Sequence, residues 1–250
     1  MRNLNPAVSV IIPTYCEEEI IEGCLKSVVN QEFNGRIETI VVDSHSPDNT
    51  RTVAKKCADK VIDLRARGVG KARNAGAKVA ESDLLLFLDA DTYLESNFVA
   101  EMCKNFTDPR VVCVSGILKN LEKLGPLDSL FAISHYGFLN KLASLSAHLG
   151  FPLFPSVCVG ARKPMFLKVG GFVEDMAVGE DVTFSRKMGK VGKCVVNNKA
   201  TAYTSVRRIS TCGVREMYSM YFKNYVKIFF LNQKPWIQDF PHIAKSVNSN

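Results

Sequence analysis

The sequence has no long hydrophobic run: its longest uninterrupted apolar stretch is Leu84–Leu88, only five residues. A membrane-spanning helix needs about 20 apolar residues, so we expect none in this chain. The eight cysteines form no CxxC pair and no Cys/His ligand spacing, which argues against structural zinc. They lie mostly in apolar contexts, and residues 1–6 do not resemble a signal peptide. We therefore predict free thiols in a reducing, cytosolic environment.

The charge of the chain is concentrated at one end. Its 32 Lys and Arg against 25 Asp and Glu leave a net charge of +7, of which +6 lies in residues 199–250. The 198 residues before them carry 24 basic and 23 acidic groups and are nearly neutral. An anionic partner is therefore expected at the C-terminal fifth, and nucleic acid, anionic lipid and the phosphates of a nucleotide are all candidates.

The first 90 residues alternate between strand-like and helix-like segments. Short apolar segments, typical of strands covered on both faces, lie at 8–12, 37–42, 60–64 and 84–89. Amphipathic segments, typical of helices, lie at 17–29, 47–58 and 69–80. This βαβαβαβ order predicts an α/β fold with a mostly parallel sheet flanked by helices, and ligands at the carboxyl ends of the strands.

The second half of the chain is less regular. We predict strands at 110–119, 157–161 and 193–204, and helices at 127–148, 164–169 and 180–188. No internal repeat or low-complexity linker separates the two halves. We therefore predict one domain over residues 1–206, followed by a basic amphipathic helical tail at 207–250.

Two carboxylates follow the most apolar of these strands. Asp89 and Asp91 stand one residue apart, so on an extended segment both side chains point the same way and can approach one hard cation. An Asp-rich turn is the simpler explanation. We favour a metal site, because a carboxylate at the end of a buried strand is costly without a partner.

A second polar cluster follows the second strand. Asp43 ends an apolar run and is placed to accept hydrogen bonds from a base or a ribose. Asp48 and Thr50 lie just beyond it, and helix capping and turn formation explain both of them fully.

Residues 65–76 combine glycines with several cations at a helix entry. They lack the GxxxxGK[ST] pattern, and their GxG does not follow the first strand, so a P-loop or dinucleotide site is weakly supported. An anion site at the helix N-terminus and a solvated basic face are about equally compatible with this segment.

Glu180 and Asp181 form a third acidic cluster at the start of a predicted helix. Carboxylates in a first helical turn favour the helix dipole, which is a sufficient structural reason for them. Adjacent carboxylates also raise one another's pKa, as a general base that acts near neutral pH requires.

Six blocks of this chain, taken in order, resemble glycosyltransferase family 2, whose fold is called GT-A. The blocks are 8–15, 41–50, 67–76, 88–92, 170–172, and Glu180-Asp181 with Arg186. The resemblance covers about residues 7–208 and implies a nucleotide-sugar half at 7–119 and an acceptor half at 120–206. It further implies an inverting transferase that uses a UDP- or GDP-sugar donor with Mg²⁺ or Mn²⁺ on the diphosphate.

The resemblance also assigns roles by position. Asp91, with Asp89, would hold the metal, and Asp181 of the Glu180-Asp181 pair would be the base that deprotonates an acceptor hydroxyl. Arg207 and Arg208 would clamp the diphosphate. The remaining donor-binding positions are Pro13, Tyr15, Glu17, Asp43, Arg73 and Asp89.

Three departures from the family pattern are visible. Cys16 stands where the family commonly has Asn, and Ser44-His45 replaces a frequent Asp-Gly. The QxxRW block of processive synthases is missing, and residues 204–208 occupy a similar place. A long polysaccharide product is therefore disfavoured.

The basic tail predicts a membrane contact. At 100° per residue, the apolar side chains of 213–231 fall within an arc of about 140°, with Lys and Arg opposite. Such a helix can lie on the cytosolic membrane face or pack on the domain. Residues 127–154 are also apolar and aromatic, which fits a polyprenyl-linked or glycan acceptor, or ordinary core packing.

Three other functions compete with hydroxyl glycosylation. A polyprenyl-phosphate acceptor would need no base. Nucleotidyl transfer is disfavoured, because residues 13–17 offer no Gly-rich phosphate loop after the first strand. A non-catalytic module binding nucleic acid or an anionic surface is disfavoured by the nearly neutral first 198 residues and their carboxylate-rich rim, so we expect no nucleic-acid partner.

Overall fold

The computed structural model describes residues 6–122, 126–176 and 179–207, together with Ser219 and Lys223. Its strands are β1 Val8–Thr14, β2 Ile37–Asp43, β3 Lys60–Asp63, β4 Leu84–Leu88, β5 Thr92–Leu94, β6 Val111–Asn120, β7 Cys158–Arg162 and β8 Lys193–Thr204. Its helices are α1 Ile21–Val29, α2 Thr50–Ala54, α3 Val69–Val79, α4 Phe98–Asn105, α5 Pro126–His148, α6 Lys163–Lys168 and α7 Glu180–Gly189. For α5, the side chains are described from residue 133 onward.

The described strands form one sheet in the order β3-β2-β1-β4-β7-β6-β8-β5. Strands β1 to β4 are parallel, as the βαβ alternation predicts. Strand β7 then runs antiparallel to both β4 and β6, and β8 returns parallel to β6. The predicted α/β fold with a mostly parallel sheet is confirmed, and the antiparallel strand β7 joins its two halves.

Two hydrophobic layers cover the sheet because neighbouring strand residues point to opposite faces. Val10 and Ile12 of β1 pack with α1 and α4 on one face, whereas Ile11 packs with α3, α6 and α7 on the other. This is why β1 is apolar at consecutive positions. Four phenylalanine rings pack together on this second face, Phe87 from β4, Phe166 from α6, Phe172 from the following loop and Phe184 from α7.

Several boundaries differ from those predicted. Helix α2 covers only Thr50–Ala54 rather than 47–58: Asp48 lies in the preceding turn, where its carboxylate accepts hydrogen bonds from the N–H and the hydroxyl of Thr50, and residues 55–57 form a turn. The sequence prediction missed β5 and α4. Strand β5 is three residues long and exists by pairing Thr92 with Thr204, a partner that no local pattern indicates.

The basic tail lies outside the described residues except for Arg207, Ser219 and Lys223. Ser219 and Lys223 are helical and exposed. Attachment of this segment to a membrane stays a prediction. Among the helices described, none is both long and apolar enough to cross a membrane.

Candidate active site

The carboxyl ends of β1 to β4 meet at one edge of the sheet. Thr14 of β1 lies opposite Asp43 of β2, which in turn lies opposite Asp63 of β3. Strand β4 pairs with β1 and ends immediately before Asp89. The polar clusters that follow these strands in sequence are therefore brought to a common rim.

Arg73 connects the Asp89 cluster with the Glu180 cluster. Its guanidinium, which is 2% exposed, donates one hydrogen bond of 2.7 Å to Asp89 and another of 2.9 Å to Glu180. It also stacks over the ring of Phe172 at 5.1 Å. The sequence analysis placed Arg73 near the base or the phosphates of the donor. In the structure, its two terminal nitrogens bind carboxylates of this chain instead.

Helix α3 packs closely against the loop at residues 172–174 because Gly70 in its first turn has no side chain. A Cβ on Gly70 would lie 2.7 Å from the carbonyl oxygen of Val173, so only glycine allows this approach. One turn further on, Asn74 hydrogen bonds with both the N–H and the carbonyl of Phe172. These contacts fix the loop that leads to α7, where Glu180 and Asp181 lie.

The two acidic residues that begin α7 have different surroundings. Glu180 is paired with Arg73, whereas the Asp181 carboxylate accepts a 2.7 Å hydrogen bond from the N–H of Val182. Burial, and then the neighbouring charge of Glu180, raise the pKa of Asp181 to about 7. The rise is opposed by backbone hydrogen bonds from Val182 and Ser156 and by Arg73. At neutral pH Asp181 is therefore able both to accept and to release a proton.

Asp91 takes part in a second cluster of charges. Arg207 binds Glu17 with both of its terminal nitrogens, at 2.9 and 2.7 Å, and one of these nitrogens lies 3.2 Å from Asp91. Glu17 and Asp91 are thus both in contact with Arg207, which follows the C-terminal end of β8. The sequence prediction placed all three at the donor site, and the structure brings them together. Arg208 lies outside the described residues.

The carboxylates of Asp89 and Asp91 are suitable ligands for a divalent cation. Mg²⁺ and Mn²⁺ prefer carboxylate and phosphate oxygens, and a diphosphate would supply the oxygens that two aspartates leave missing. Within the described part of the chain, no group of three or more His, Cys, Asp or Glu side chains is gathered as a metal site. These residues therefore fit a metal that is shared with a bound diphosphate.

A cavity of about 420 Å³ opens at the same rim, lined by Ser44, His45, Arg65, Ala66 and Arg67. Next to it, Arg67 stacks on the ring of Tyr15 with its guanidinium carbon 4.3 Å from the ring centroid, and also hydrogen bonds to the phenol oxygen. Arg65 and Arg67 were predicted only as members of a basic segment. Their place in this wall depends on how the loop after β3 folds.

Asp43 is buried at the base of this rim. Its carboxylate accepts hydrogen bonds from the hydroxyl of Thr14, at 3.1 Å, and from the N–H of Ser46, at 2.8 Å. Arg51 lies 3.5 Å from it. Pro13, also predicted as a donor contact, lies within β1 opposite Val42 rather than at the strand's end. Asp43 therefore shapes the turn after β2, next to the cavity.

Two of the departures from the family pattern have an unusual backbone conformation. Cys16 has φ of 55° and His45 has φ of 58°, which is the left-handed region. Asn and Gly, the residues common in the family at these positions, adopt this region more readily than Cys or His. The family pattern therefore reflects a backbone requirement here.

Replacing His45 by glycine is expected to give a more stable chain than replacing it by alanine, since both changes remove the 2.9 Å contact between the His45 ring and Asp63. Removing the Cβ relieves about 1 kcal/mol of left-handed strain, part of which is offset by the greater freedom of glycine in the unfolded chain. His45→Ala is the matched control, because it removes the ring but keeps the Cβ. Urea unfolding should rank the glycine variant above the alanine variant, and equal midpoints for the two would contradict this explanation.

Comparison with known proteins identifies the family of this chain. The sequence model described as Glycosyl transferase family 2 matches residues 9–166. The chain is 28% identical over 241 residues to the O-antigen chain rhamnosyltransferase WbaN of Salmonella anatum, covering 93% of this chain and 75% of WbaN. It spans less than half the length of several further curated relatives.

Solved structures show the same fold. TarS 1–349 of Staphylococcus aureus in complex with UDP-GlcNAc superposes with a TM-score of 0.63 at 25% identity, covering 83% of this chain and 61% of TarS. The mannosyltransferase PcManGT from Pyrobaculum calidifontis, in complex with GDP-Man and Mn²⁺, gives a TM-score of 0.65 at 22% identity, covering 82% and 58%. The family match spans more than half of the chain. The chain is a member of glycosyl transferase family 2.

Proposed function

We propose that this chain is an inverting glycosyltransferase that moves a sugar from a nucleotide diphosphate sugar to a hydroxyl group of a glycan or lipid-linked acceptor. The observation that carries the proposal is the Arg73 bridge between Asp89 and Glu180. It joins the motif suited to a metal-bound diphosphate with the helix start that carries Asp181, a carboxylate whose pKa is raised to about 7. Donor activation and acceptor deprotonation would then occur at one rim.

The donor nucleoside would bind at the cavity beside Tyr15. The Tyr15 ring and the guanidinium groups of Arg65 and Arg67 offer a flat face and hydrogen-bond donors, and Asp43 stands at the edge of the same turn. TarS binds UDP-GlcNAc and PcManGT binds GDP-Man, which supports a nucleotide-sugar donor without fixing the base or the sugar.

The diphosphate would bind beside Asp91 and Arg207. Mg²⁺ or Mn²⁺, held by Asp91 and Asp89, would supply positive charge that neutralises the leaving diphosphate. PcManGT is a relative in fold that binds Mn²⁺. Both terminal nitrogens of Arg207 are paired with carboxylates of Glu17 and Asp91, so Arg207 would exchange these partners for phosphate oxygens when the donor binds, and Arg208 is proposed as its neighbour in this role.

Asp181 would act on the acceptor. As a carboxylate it would accept the proton of the acceptor hydroxyl as the oxygen attacks the anomeric carbon from the side opposite the leaving diphosphate. Attack from that side inverts the configuration of this carbon. Glu180 would stay bound to Arg73, so its part is to hold the site and to raise the pKa of Asp181 rather than to take the proton.

A thermal-shift screen tests the donor site. UDP-GlcNAc and GDP-mannose, each with and without Mn²⁺, are compared on the whole chain. At a ligand concentration 100-fold above Kd, one of them is expected to add about 2.7 kcal/mol, which corresponds to a rise in Tm of roughly 5–10 °C. Asp91→Asn should remove most of the Mn²⁺-dependent part of the shift.

Asp83→Asn is the matched control for Asp91→Asn. Asp83 is an exposed carboxylate at the opposite end of β4, so its loss leaves the rim intact. It should keep the full Mn²⁺-dependent shift. Silence from these two compounds excludes them as donors, silence from every UDP- and GDP-sugar would contradict the proposal, and the metal assignment is wrong if both variants behave alike.

A further inference from the structure

Both carboxylates suited to the metal are paired with an arginine from a distant part of the chain. Arg73 donates a 2.7 Å hydrogen bond to Asp89, and a terminal nitrogen of Arg207 lies 3.2 Å from Asp91. Arg73 belongs to α3, whereas Arg207 follows β8. A divalent cation that binds both aspartates must therefore come close to two guanidinium groups of its own sign.

Arg73 is fixed in its position. Its side chain is almost fully buried, it bonds Glu180 at 2.9 Å as well as Asp89, and its guanidinium stacks over the ring of Phe172. If Arg73 moved away, Glu180 would lose its counter-charge. The Asp89 carboxylate remains 31% exposed beside Arg73, so a hydrated cation can still reach it.

Arg207 differs because its partners lie at the rim. The carboxylates of Glu17 and Asp91 are 16% and 15% exposed, so water can hydrate them when the guanidinium turns away. The two bonds from Arg207 to Glu17 measure 2.9 and 2.7 Å, and its contact with Asp91 is longer at 3.2 Å. The contact with the metal ligand is therefore the weakest of the three.

The backbone that carries Arg207 is held by Glu122. The Glu122 carboxylate accepts a 3.0 Å hydrogen bond from the N–H of Val206 and another from the hydroxyl of Ser205. The same Ser205 oxygen accepts a 3.1 Å hydrogen bond from the N–H of Arg207. An exchange of partners at the guanidinium therefore requires rotation of one side chain and no displacement of the chain.

The charges of this cluster favour binding of metal and diphosphate together. A metal alone would share Asp91 with a guanidinium of the same sign, and a diphosphate alone would lie beside the carboxylates of Glu17 and Asp91. When both are present, Asp91 can bind the cation while Arg207 turns its planar fork to phosphate oxygens. Asp91, the cation and the diphosphate then each face a group of opposite charge.

We propose that Arg207 keeps Asp91 closed to metal until a nucleotide diphosphate binds, so that metal and donor bind cooperatively. The inference rests on the proposed function and adds the regulation of the same site. A ligand site that is available only part of the time binds more weakly by that fraction. The metal would then be retained only while the donor, or its nucleoside diphosphate product, is present.

Binding of Mn²⁺ alone to the full chain, in the absence of donor, tests the inference. Free Mn²⁺ is measured by its electron paramagnetic resonance signal. Arg207→Met should tighten Mn²⁺ binding by roughly tenfold, the factor expected if Asp91 is available about a tenth of the time in the wild type. Arg207→Gln, which keeps a hydrogen-bond donor but has no charge, should show the same gain. Adding Asp91→Asn to either variant should remove it.

Lys119→Met is the matched control. Lys119 is exposed on β6, opposite Tyr203 of the neighbouring β8, and its ammonium lies 5.7 Å from the centre of the Tyr203 ring. Its replacement removes the same charge from the adjoining strand, so the affinity for Mn²⁺ should stay at the wild-type value.

The two ligands of the site should respond to Arg207→Met with opposite signs. While Mn²⁺ alone binds more tightly, the thermal shift produced by UDP-GlcNAc or GDP-mannose at saturating Mn²⁺ should become smaller, because the diphosphate loses a guanidinium partner. General damage to the fold would weaken both ligands. A gain for one with a loss for the other is therefore the signature of this exchange.

Three results would overturn the inference. The first is equal Mn²⁺ affinity in the wild type and Arg207→Met, including no measurable binding by either. The second is an equal gain in Lys119→Met, which would reduce the effect to net charge. The third is a gain that survives Asp91→Asn, which would also contradict the metal assignment of the proposed function. The first two results leave that assignment intact, so the two failures are distinguishable.

Discussion

Asp181→Asn is expected to lower sugar transfer by about 10²–10⁴-fold, the usual contribution of a general base, while donor binding is retained. The amide has the shape of the carboxylate and still accepts the hydrogen bond from the N–H of Val182, so the start of α7 should be preserved. It has no basic oxygen for the proton of an acceptor hydroxyl. The measurement is the transfer rate at saturating donor, with donor affinity followed by thermal shift.

The pH dependence of the transfer rate should also differ between the wild type and Asp181→Asn. Because the pKa of Asp181 is raised to about 7, the wild-type rate should rise with pH and level off above about 7 as the carboxylate form accumulates. The residual rate of the asparagine variant should lack this rise. Asp175→Asn is the control, since Asp175 is an exposed carboxylate that approaches Lys71 only to 3.9 Å.

The same raised pKa has a consequence for stability with a definite sign. Asp181 binds its proton more tightly in the folded chain than in the unfolded chain, where its pKa is near 3.8. Its contribution to stability is therefore greatest below that value and is lost as the pH rises towards about 7. The asparagine variant should be at least as stable as the wild type above pH 7, so a lost rate would not be explained by unfolding.

A full rate in Asp181→Asn would point to a different acceptor. A polyprenyl phosphate already carries a negatively charged oxygen and needs no base to attack the anomeric carbon. The raised pKa of Asp181 favours a hydroxyl acceptor. A general base that removes a proton from a hydroxyl requires a pKa near neutrality, whereas attack by a phosphate acceptor requires no base.

The parts of the fold that depend on local pattern were predictable from the sequence. Strand β1 is apolar at successive positions because Val10, Ile11 and Ile12 alternate between two buried faces. This pattern is visible in the short segment 8–12 of the sequence. The position of Asp43 and Asp89 after such strands was enough to place both at one rim. Neither inference required knowledge of a distant contact.

The contacts that organise the site were not predictable in this way. Arg73 and Glu180 are 107 positions apart, and Glu17 and Arg207 are 190 apart, so each pair exists only after β7 and β8 have joined the sheet. The acidic pair at α7 and the basic entry to α3 were each recognised separately. Their connection through one buried guanidinium depends on the close approach at Gly70, which the sequence shows only as one glycine among 16.

Arg73→Met is expected to destabilise the fold by about 3–5 kcal/mol, the usual cost of removing one partner from a buried ion pair. Methionine fills a similar volume but leaves Glu180 buried without its counter-charge, and leaves Asp89 without its 2.7 Å partner. Urea unfolding gives the change in free energy. Arg110→Met is the matched control, because Arg110 is an exposed arginine that pairs only with Asp108, and such surface pairs contribute about 1 kcal/mol or less.

A double variant separates the lost charge pair from lost packing. If the cost arises from an uncompensated Glu180, then Arg73→Met combined with Glu180→Gln should be more stable than Arg73→Met alone, with a coupling of about 0.5–3 kcal/mol. If the cost arises from packing around Phe172, the two changes should simply add. Additive behaviour, or a loss in Arg73→Met no larger than in Arg110→Met, would mean that this guanidinium does not hold the metal motif and the base together.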